Sequence, residues 1–339
     1  MNPHASRWVL FAALVVCILA VAAPAQEKNA APEDPNAVPV AVLVNDEPIY
    51  VAELEASFAA MNRRQRVEPA QAARLRAELL ESLVHRRLVV QALQRDPKLV
   101  EPKEIKEHME KTRTDILEQH KMSLEEYALR RGVGLDSLQS ELYWRLGWER
   151  YLDHHLADAL EEHFKKHKKD LDGTEVRASH ILLRRDRFNE TDAQIMARAK
   201  KIRDEIESGK IRFEEAAQKY SAGPSGSQGG DLGFFPRKGV MVEEFAKTAF
   251  ALDKGQLSQP LNTVFGTHLI RVTDLKPGSR QWTEVIPQIK TIASAELFEQ
   301  LAGDERQKAK INYTGKTPHL KPGTRELVVP AAAPQAASK

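Results

Sequence analysis

Three short stretches decide the fold of this chain: ASHILL at residues 178–183, GGDLGFF at residues 229–235 and FGTHLIRV at residues 265–272. The first lies in a predicted strand that begins at Val176. The second follows a glycine-rich loop and begins another short strand. The third joins two closing strands at the pair Phe265-Gly266. These stretches therefore predict a small sheet.

Helices fill the intervals between these strands. The capping box Thr191 to Gln194 begins the first helix, whose apolar residues recur at helical spacing until Gly209. Phe213 to Tyr220 forms the second predicted helix, and Glu243 to Leu252 forms the third. Leu257 to Thr263 is predicted as the strand before the last one. The predicted order is β-α-α-β-α-β-β over residues 173–278, which is an α+β unit.

Residues 40–172 differ in pattern and predict a helical domain with one short strand. The strand is Val40 to Val44, and several amphipathic helices follow it. Residues 279–312 contain a further amphipathic helix that has no core of its own. We expect this C-terminal helix to pack on the N-terminal helices, so that the helical domain is completed by both ends of the chain.

The N-terminus has the pattern of a secretion signal. Trp8 to Ala23 carries no charge, and Ala23-Pro24-Ala25 is a typical cleavage site. We therefore expect a signal peptide over residues 1–25 and cleavage after Ala25. The alternative is an uncleaved anchor that tethers the protein to a membrane. The Pro- and Ala-rich segments 26–39 and 313–339 are predicted to be a disordered linker and a disordered tail.

Composition excludes several classes of protein. Lys and Arg number 50 against 48 Asp and Glu, so a strongly basic nucleic-acid binder is not expected. Cys17 is the single cysteine, which excludes an intramolecular disulfide, a CxxC redox site and a multi-cysteine zinc site. His163 and His167 have helical spacing but no third ligand nearby, so no metal site is predicted. No nucleotide-binding motif is present, and no cofactor is expected.

The segment 173–278 resembles the parvulin family of peptidyl-prolyl cis-trans isomerases. The resemblance rests on the three stretches quoted above and on FAKTAFALDKGQLSQPL at residues 245–261. The helical region, with VNDEPI at residues 44–49 and its returning C-terminal helix, resembles the chaperone part of SurA- and PrsA-like foldases. These resemblances imply a parvulin domain attached to a helical chaperone domain.

The parvulin resemblance implies roles for seven residues. The implied catalytic residues are His180, His268 and Thr263, and the implied substrate-binding residues are Leu232, Met241, Phe245 and Phe265. Thr263 is expected to bond between the two histidines. One position departs from the family pattern, because Gly223 stands where the family usually has Cys or Asp. Ser221 or Ser225 could replace the missing side chain.

The resemblance also implies a function. The expected activity is non-covalent isomerisation of X–Pro bonds in unfolded secreted or envelope polypeptides, in the periplasm or another extracytoplasmic space. The partners would be unfolded polypeptides and prolyl peptides, with membrane contact only if the signal segment is retained. The departure at Gly223 leaves an alternative open, a holdase whose parvulin domain binds peptides without catalysing their isomerisation.

Overall fold

The computed structural model of the chain describes residues 38–64, 67–184 and 190–330. The predicted signal peptide, residues 1–25, lies outside the described residues. The helices are α1 (Val51–Arg64), α2 (Pro69–Gln94), α3 (Pro102–His120), α4 (Leu124–Arg130), α5 (Leu135–Leu156), α6 (Leu160–Lys166), α7 (Lys168–Leu171), α8 (Asp192–Glu207), α9 (Phe213–Tyr220), α10 (Glu243–Phe250) and α11 (Ile286–Arg306). The strands are β1 (Val40–Val44), β2 (Glu47–Tyr50), β3 (Glu175–Leu183), β4 (Asp231–Pro236), β5 (Leu261–Thr263), β6 (Gly266–Lys276), β7 (Ile311–Tyr313), β8 (His319–Leu320) and β9 (Leu327–Val328).

The described residues form two compact units. One comprises residues 158–293, and the other comprises residues 38–157 together with residues 294–330. The order from β3 to β6 is β-α-α-β-α-β-β, which confirms the predicted α+β class. No helix in the described ranges is long and apolar enough to cross a membrane.

A four-stranded antiparallel sheet, in the order β4-β3-β6-β5, forms the centre of the unit 158–293. Side chains alternate across the sheet because successive residues of a strand point to opposite faces. Ile181 and Leu183 of β3 pack with α8 and α9 on one face. Val176 and Ala178 pack with Phe245 of α10 on the other.

The strand predicted at Leu257 to Thr263 is shorter in the structure. Only Leu261–Thr263 pairs as β5, and Leu257 makes a single bridge to Arg271. Pro260 lies between these two pairings and has no amide hydrogen to donate to a neighbouring strand, so a continuous ladder does not form.

The unit extends beyond the predicted parvulin segment on both sides. Phe164 of α6 and Leu171 of α7 are buried against Val285 and Ile289. Val285 lies just before α11, and Ile289 lies in its first turn. This cluster adds the flanking residues 158–172 and 279–293 to the same compact body.

The helical unit contains more strand than the sequence predicted. Asn45 and Asp46 have positive φ angles of 51° and 67°, which suit a two-residue hairpin turn. The chain therefore folds back at once, and β2 pairs with β1 in the register Val44 to Glu47. Strand β7 pairs with the other edge of β1, which gives a three-stranded sheet, in contrast to the single predicted strand.

The C-terminal segments of the helical unit pack on its N-terminal segments. Phe298 and Ala302 of α11 belong to one cluster with Leu93 and Trp144. Within the predicted tail, 313–339, β8 and β9 form a hairpin, and the His319 ring stacks on Tyr313 at a centroid distance of 4.6 Å. This aromatic contact supplies local order that the Pro- and Ala-rich composition did not indicate.

Candidate active site

Two buried histidines lie at the centre of the unit 158–293. His180 is 8% exposed and His268 is 4% exposed. Their Nδ1 atoms are 3.2 Å apart, within hydrogen-bond distance. The rings are nearly parallel, with an interplanar angle of 27°. The structure therefore brings together the two histidines that the sequence analysis proposed as catalytic.

The register of the sheet explains why the rings meet. His180 of β3 lies opposite Ile270 of β6, and His268 lies opposite Leu182. The two histidines are thus diagonal neighbours, two residues out of register, on the face that α10 covers. Side chains at diagonal positions of an antiparallel pair are close enough for rings to touch.

Thr263 extends the histidine pair into a chain of hydrogen bonds. Its Oγ1 is 2.8 Å from His268 Nε2 and accepts a hydrogen bond from the Phe265 amide at 3.1 Å. Thr263 therefore lies on the outer side of His268, in contrast to the expected position between the two rings. One lone pair of the hydroxyl oxygen accepts from this amide, and the hydroxyl can donate its own hydrogen to Nε2.

The direction of these hydrogen bonds sets the tautomers of both rings when they are neutral, and the threonine hydroxyl can act as donor or acceptor toward Nε2. If His268 Nε2 accepts from Thr263, its proton lies on Nδ1 and is donated to His180 Nδ1. The proton of His180 then lies on Nε2. That atom is buried and has no hydrogen-bond partner among the residues that the structure describes. When Thr263 is the donor, one imidazole N–H group therefore has no acceptor within the described ranges.

The surroundings favour the neutral form of both rings. Burial lowers the pKa of His180. Burial also lowers the pKa of His268 to about 4, and repulsion from Arg184 and from the protonated form of His180 contributes to that shift. Both imidazoles are therefore uncharged at neutral pH, which is compatible with an apolar pocket around them.

An apolar wall faces the histidines. The Phe245 ring meets His180 and His268 edge-on, at centroid distances of 5.8 and 5.4 Å. Leu232 and Met241 are partly buried and pack in the same cluster as Phe245. The fourth predicted substrate-binding residue, Phe265, is 53% exposed and contributes its backbone amide to Thr263.

The glycine-rich loop approaches His180 closely at two positions. A Cβ atom at Gly223 would lie 3.1 Å from His180 Nε2, so this is the position from which a side chain would reach the unpartnered nitrogen. A Cβ atom at Gly230, where φ is +84°, would lie 2.3 Å from the His180 carbonyl oxygen. Only glycine fits at residue 230, whereas the backbone at residue 223 is outside the left-handed region.

Neither serine suggested as a substitute forms a hydrogen bond with His180 in the described part of the chain. Ser221 Oγ accepts hydrogen bonds from the Leu182 and Gly223 amides, which ties it to the loop backbone. Ser225 Oγ is buried, with no partner in the described part of the chain.

Sequence reasoning did not identify Ser258 or Arg237. Ser258 Oγ is buried behind β6 and accepts a hydrogen bond from the Ile270 amide at 2.9 Å. Arg237 joins the loop that carries Met241 to neighbouring helices through two carboxylates. Neither residue lies in a motif, so only the structure could reveal these contacts.

Across the described ranges, no group of three or more His, Cys, Asp or Glu side chains is arranged to hold a metal ion.

Comparison with known proteins places the same residues in a named domain. The Rotamase family, described as the PPIC-type PPIASE domain, matches residues 180–274, which begin at His180 and include His268. A foldase protein PrsA from Geobacillus sp. is 31% identical over 222 residues, covering 64% of this chain and 70% of that protein. The chain belongs to the PrsA foldase family.

Other relatives of this PrsA-family chain share shorter regions with it. Foldase protein PrsA 1 of Bacillus cereus is 34% identical, over 47% of this chain and 49% of that protein. A chaperone SurA of Alkalilimnicola ehrlichii is 38% identical, over 38% of this chain and 30% of that protein. The chain thus spans about half or less of the length of these relatives. A crystal structure of a PpiC-type peptidyl-prolyl cis-trans isomerase domain aligns with 32% of this chain and 98% of its own, with 28% identity and a TM-score of 0.29.

Proposed function

We propose that this PrsA-family protein is an exported peptidyl-prolyl cis-trans isomerase and folding chaperone that acts on X–Pro bonds of unfolded polypeptides. One observation carries the proposal. Two buried, neutral histidines, linked to each other and to Thr263, lie against the apolar wall that contains Phe245. Such a site can bind a proline ring and remove water from the adjacent peptide bond.

The geometry suits a rotation in which no bond is broken. Rotation about a peptide C–N bond meets a barrier of ~18–20 kcal/mol, because the twisted amide loses resonance. The twisted amide also has less charge on its carbonyl oxygen than the planar one. An apolar pocket therefore favours the transition state relative to the planar substrate, and each 1.36 kcal/mol of such preference gives about a tenfold rate increase.

Each proposed site residue has a part in this rotation. Leu232, Met241 and Phe245 hold the proline ring and exclude water. Thr263 and His268 fix the hydrogen-bonding state of His180, so that the polar groups near the substrate keep one arrangement. Phe265, which is exposed beside Thr263, contacts the chain that flanks the proline.

A holdase without catalysis remains the second candidate, and Gly223 favours it. The unpartnered Nε2 of His180 lies next to the space that a side chain at residue 223 would occupy. Loss of that side chain removes a polar group from the site and would lower catalytic efficiency, while the apolar wall would still bind prolyl peptides.

The helical unit offers surfaces for the chaperone activity. All nineteen residues of α3 are described, and Ile105 is the only one among them that is buried. Leu117 of α3 is 56% exposed, and Leu129 of the neighbouring α4 is 42% exposed. Apolar side chains on a helix pair of this kind can bind apolar stretches of an unfolded chain.

Isomerisation of a prolyl tetrapeptide, measured with the purified protein that lacks residues 1–25, tests the catalytic proposal. We expect faster cis-to-trans conversion than in buffer, and loss of that acceleration in Phe245→Leu. Binding of the peptide without any acceleration would establish the holdase alternative instead.

Suppression of aggregation of a denatured protein tests the chaperone part separately. We expect the double variant Leu117→Ser, Leu129→Ser to suppress aggregation less well, with peptide isomerisation unchanged. Equal suppression by the variant and the wild type would remove this surface from the proposal. Sequencing of the mature N-terminus from the native host tests export, since cleavage after Ala25 is expected.

A further inference from the structure

A partly buried arginine connects a short helix outside the matched domain to the first residue of the pocket helix. Arg237 Nε donates to Asp170 Oδ1 of α7 at 3.1 Å. Its two terminal nitrogens donate to the two carboxylate oxygens of Glu243, at 3.0 and 2.5 Å. Glu243 begins α10, two residues before Phe245 and two residues after Met241. The arginine therefore ties to α7 the residue that lies midway between the two pocket residues Met241 and Phe245.

The same short helix also contacts the residues that follow the other end of α10. Lys169, next to Asp170, donates to Asp253 Oδ1 at 2.9 Å and to the Leu252 carbonyl oxygen at 3.4 Å. Helix α10 ends at Phe250. Two consecutive residues of α7 thus contact the beginning of the pocket helix, through Arg237, and the segment that follows it.

The two contacts differ in strength. The Arg237 side chain is 12% exposed, and its planar guanidinium binds Glu243 in a bidentate manner. This contact lowers the pKa of Glu243. Lys169 and Asp253 are 43% and 73% exposed, and exposed pairs of this kind contribute little. Arg237 is therefore the residue that matters most.

Helix α7 is itself anchored. Leu171 is buried with Phe164, Val285 and Ile289, in the cluster that joins the two flanking segments of the unit. The carboxylate of Asp170 is thus presented from a packed element.

We propose that α7 is a brace for the pocket helix, and that Arg237 is a positioning residue for prolyl isomerisation through Met241 and Phe245. The brace lies outside the domain matched at residues 180–274. The proposal rests on the isomerase function proposed above. It assigns to α7, through Arg237, a part in the shape of the substrate pocket.

Two measurements on the full mature chain test the brace. The variants are Arg237→Gln, Asp170→Asn and the double variant. Arg76→Gln is the matched control, because Arg76 forms a bidentate ion pair with Glu55 in the helical unit. We expect amide hydrogen exchange in α10 to rise about tenfold in the brace variants, while exchange in β6 stays unchanged. We expect kcat/KM to fall about tenfold in Arg237→Gln, mainly through a higher KM, since a displaced wall weakens binding of the proline ring.

Two further comparisons separate positioning from general stability. Arg237→Lys keeps the charge but loses the bidentate geometry, so it should recover only part of kcat/KM. The double variant should be no worse than Arg237→Gln alone, because both substitutions remove the same link. Asp170→Asn keeps the arginine and removes only its link to α7. This variant tests the brace if Arg237→Gln does not fold.

The outcomes distinguish this proposal from the isomerase function. Exchange in α10 equal to that of the control variant would refute the brace, whatever the activity. Faster exchange in α10 with unchanged kcat/KM in an active protein would refute the positioning role. Faster exchange in a protein whose wild type does not accelerate isomerisation would leave the brace standing as a structural element and overturn the isomerase function.

Discussion

Replacement of Gly223 by Asp should supply the missing partner of His180. A Cβ atom at this position lies 3.1 Å from His180 Nε2, and a carboxylate one bond further out can accept the imidazole N–H. The Gly223 backbone is outside the left-handed region, so an aspartate can adopt its conformation. The substitution therefore tests whether the unpartnered nitrogen limits this site.

The expected gain follows from the burial of Nε2. A buried donor without an acceptor costs about 1–3 kcal/mol, and a hydrogen bond to a charged group recovers a similar amount. The close Cβ contact opposes this gain, because the ring must move by a few tenths of an ångström. Gly223→Ala introduces the same contact without an acceptor, so it is the matched control. We expect the free energy of unfolding of Gly223→Asp, measured with urea at pH 7, to exceed that of Gly223→Ala by about 2 kcal/mol.

The charge of the new carboxylate should also raise the pKa of His180. Burial lowers this pKa in the wild type, and a hydrogen-bonded carboxylate raises it because the negative charge stabilises the protonated ring. An NMR titration of the His180 ring in wild type and both variants measures the change. We further expect higher kcat/KM in Gly223→Asp than in Gly223→Ala. Equal stability of the two variants, together with an unchanged His180 pKa, would show that residue 223 does not reach Nε2 and that the reasoning is wrong.

Three other predictions concern the same site. The unfolded state binds a proton at His268 more readily than the folded state. The contribution of His268 to the free energy of unfolding should therefore be fully present above pH 6.5 and fall by about 3 kcal/mol between pH 6.5 and 4. Urea unfolding across this range measures it, and an equal slope in His268→Gln would contradict it. Met241→Ala and Phe245→Ala should each lower kcat/KM and raise KM in the peptide assay; a folded variant with wild-type kinetics would exclude that residue from the pocket. Activity of the mature chain should be unaffected by thiol-alkylating reagents, because Cys17 is the only cysteine and precedes the expected cleavage site; inactivation by such a reagent would show that a thiol takes part.

The sequence by itself determined the order of elements in the parvulin segment, and its resemblance to the parvulin family supplied the residues proposed for the site. Periodicity and capping residues locate α8 and α9 because these signals are local. The motifs around His180 and His268 place both residues on strands, and the structure brings the two rings together with Thr263 and Phe245. The roles assigned to these residues stay predictions.

Other features depended on contacts between distant segments. The sequence did not reveal that Thr263 lies on the outer side of His268, because this position depends on the turn between β5 and β6. Strand β2 was missed, because its pairing with β1 depends on a two-residue turn with positive φ angles at Asn45 and Asp46. Strand β7 was missed as well, since its partner lies more than 260 residues earlier in the chain.

The extent of the unit 158–293 was also decided by tertiary structure alone. Leu171 and Val285 are separated by the whole parvulin segment, yet they are buried in one cluster. From the sequence, Arg237 is simply one positively charged residue in a polar loop. Only the folded structure places it between Asp170 and Glu243. Helical spacing and motifs report local conformation, whereas ion pairs and clusters across the chain depend on which surfaces the folded backbone brings together.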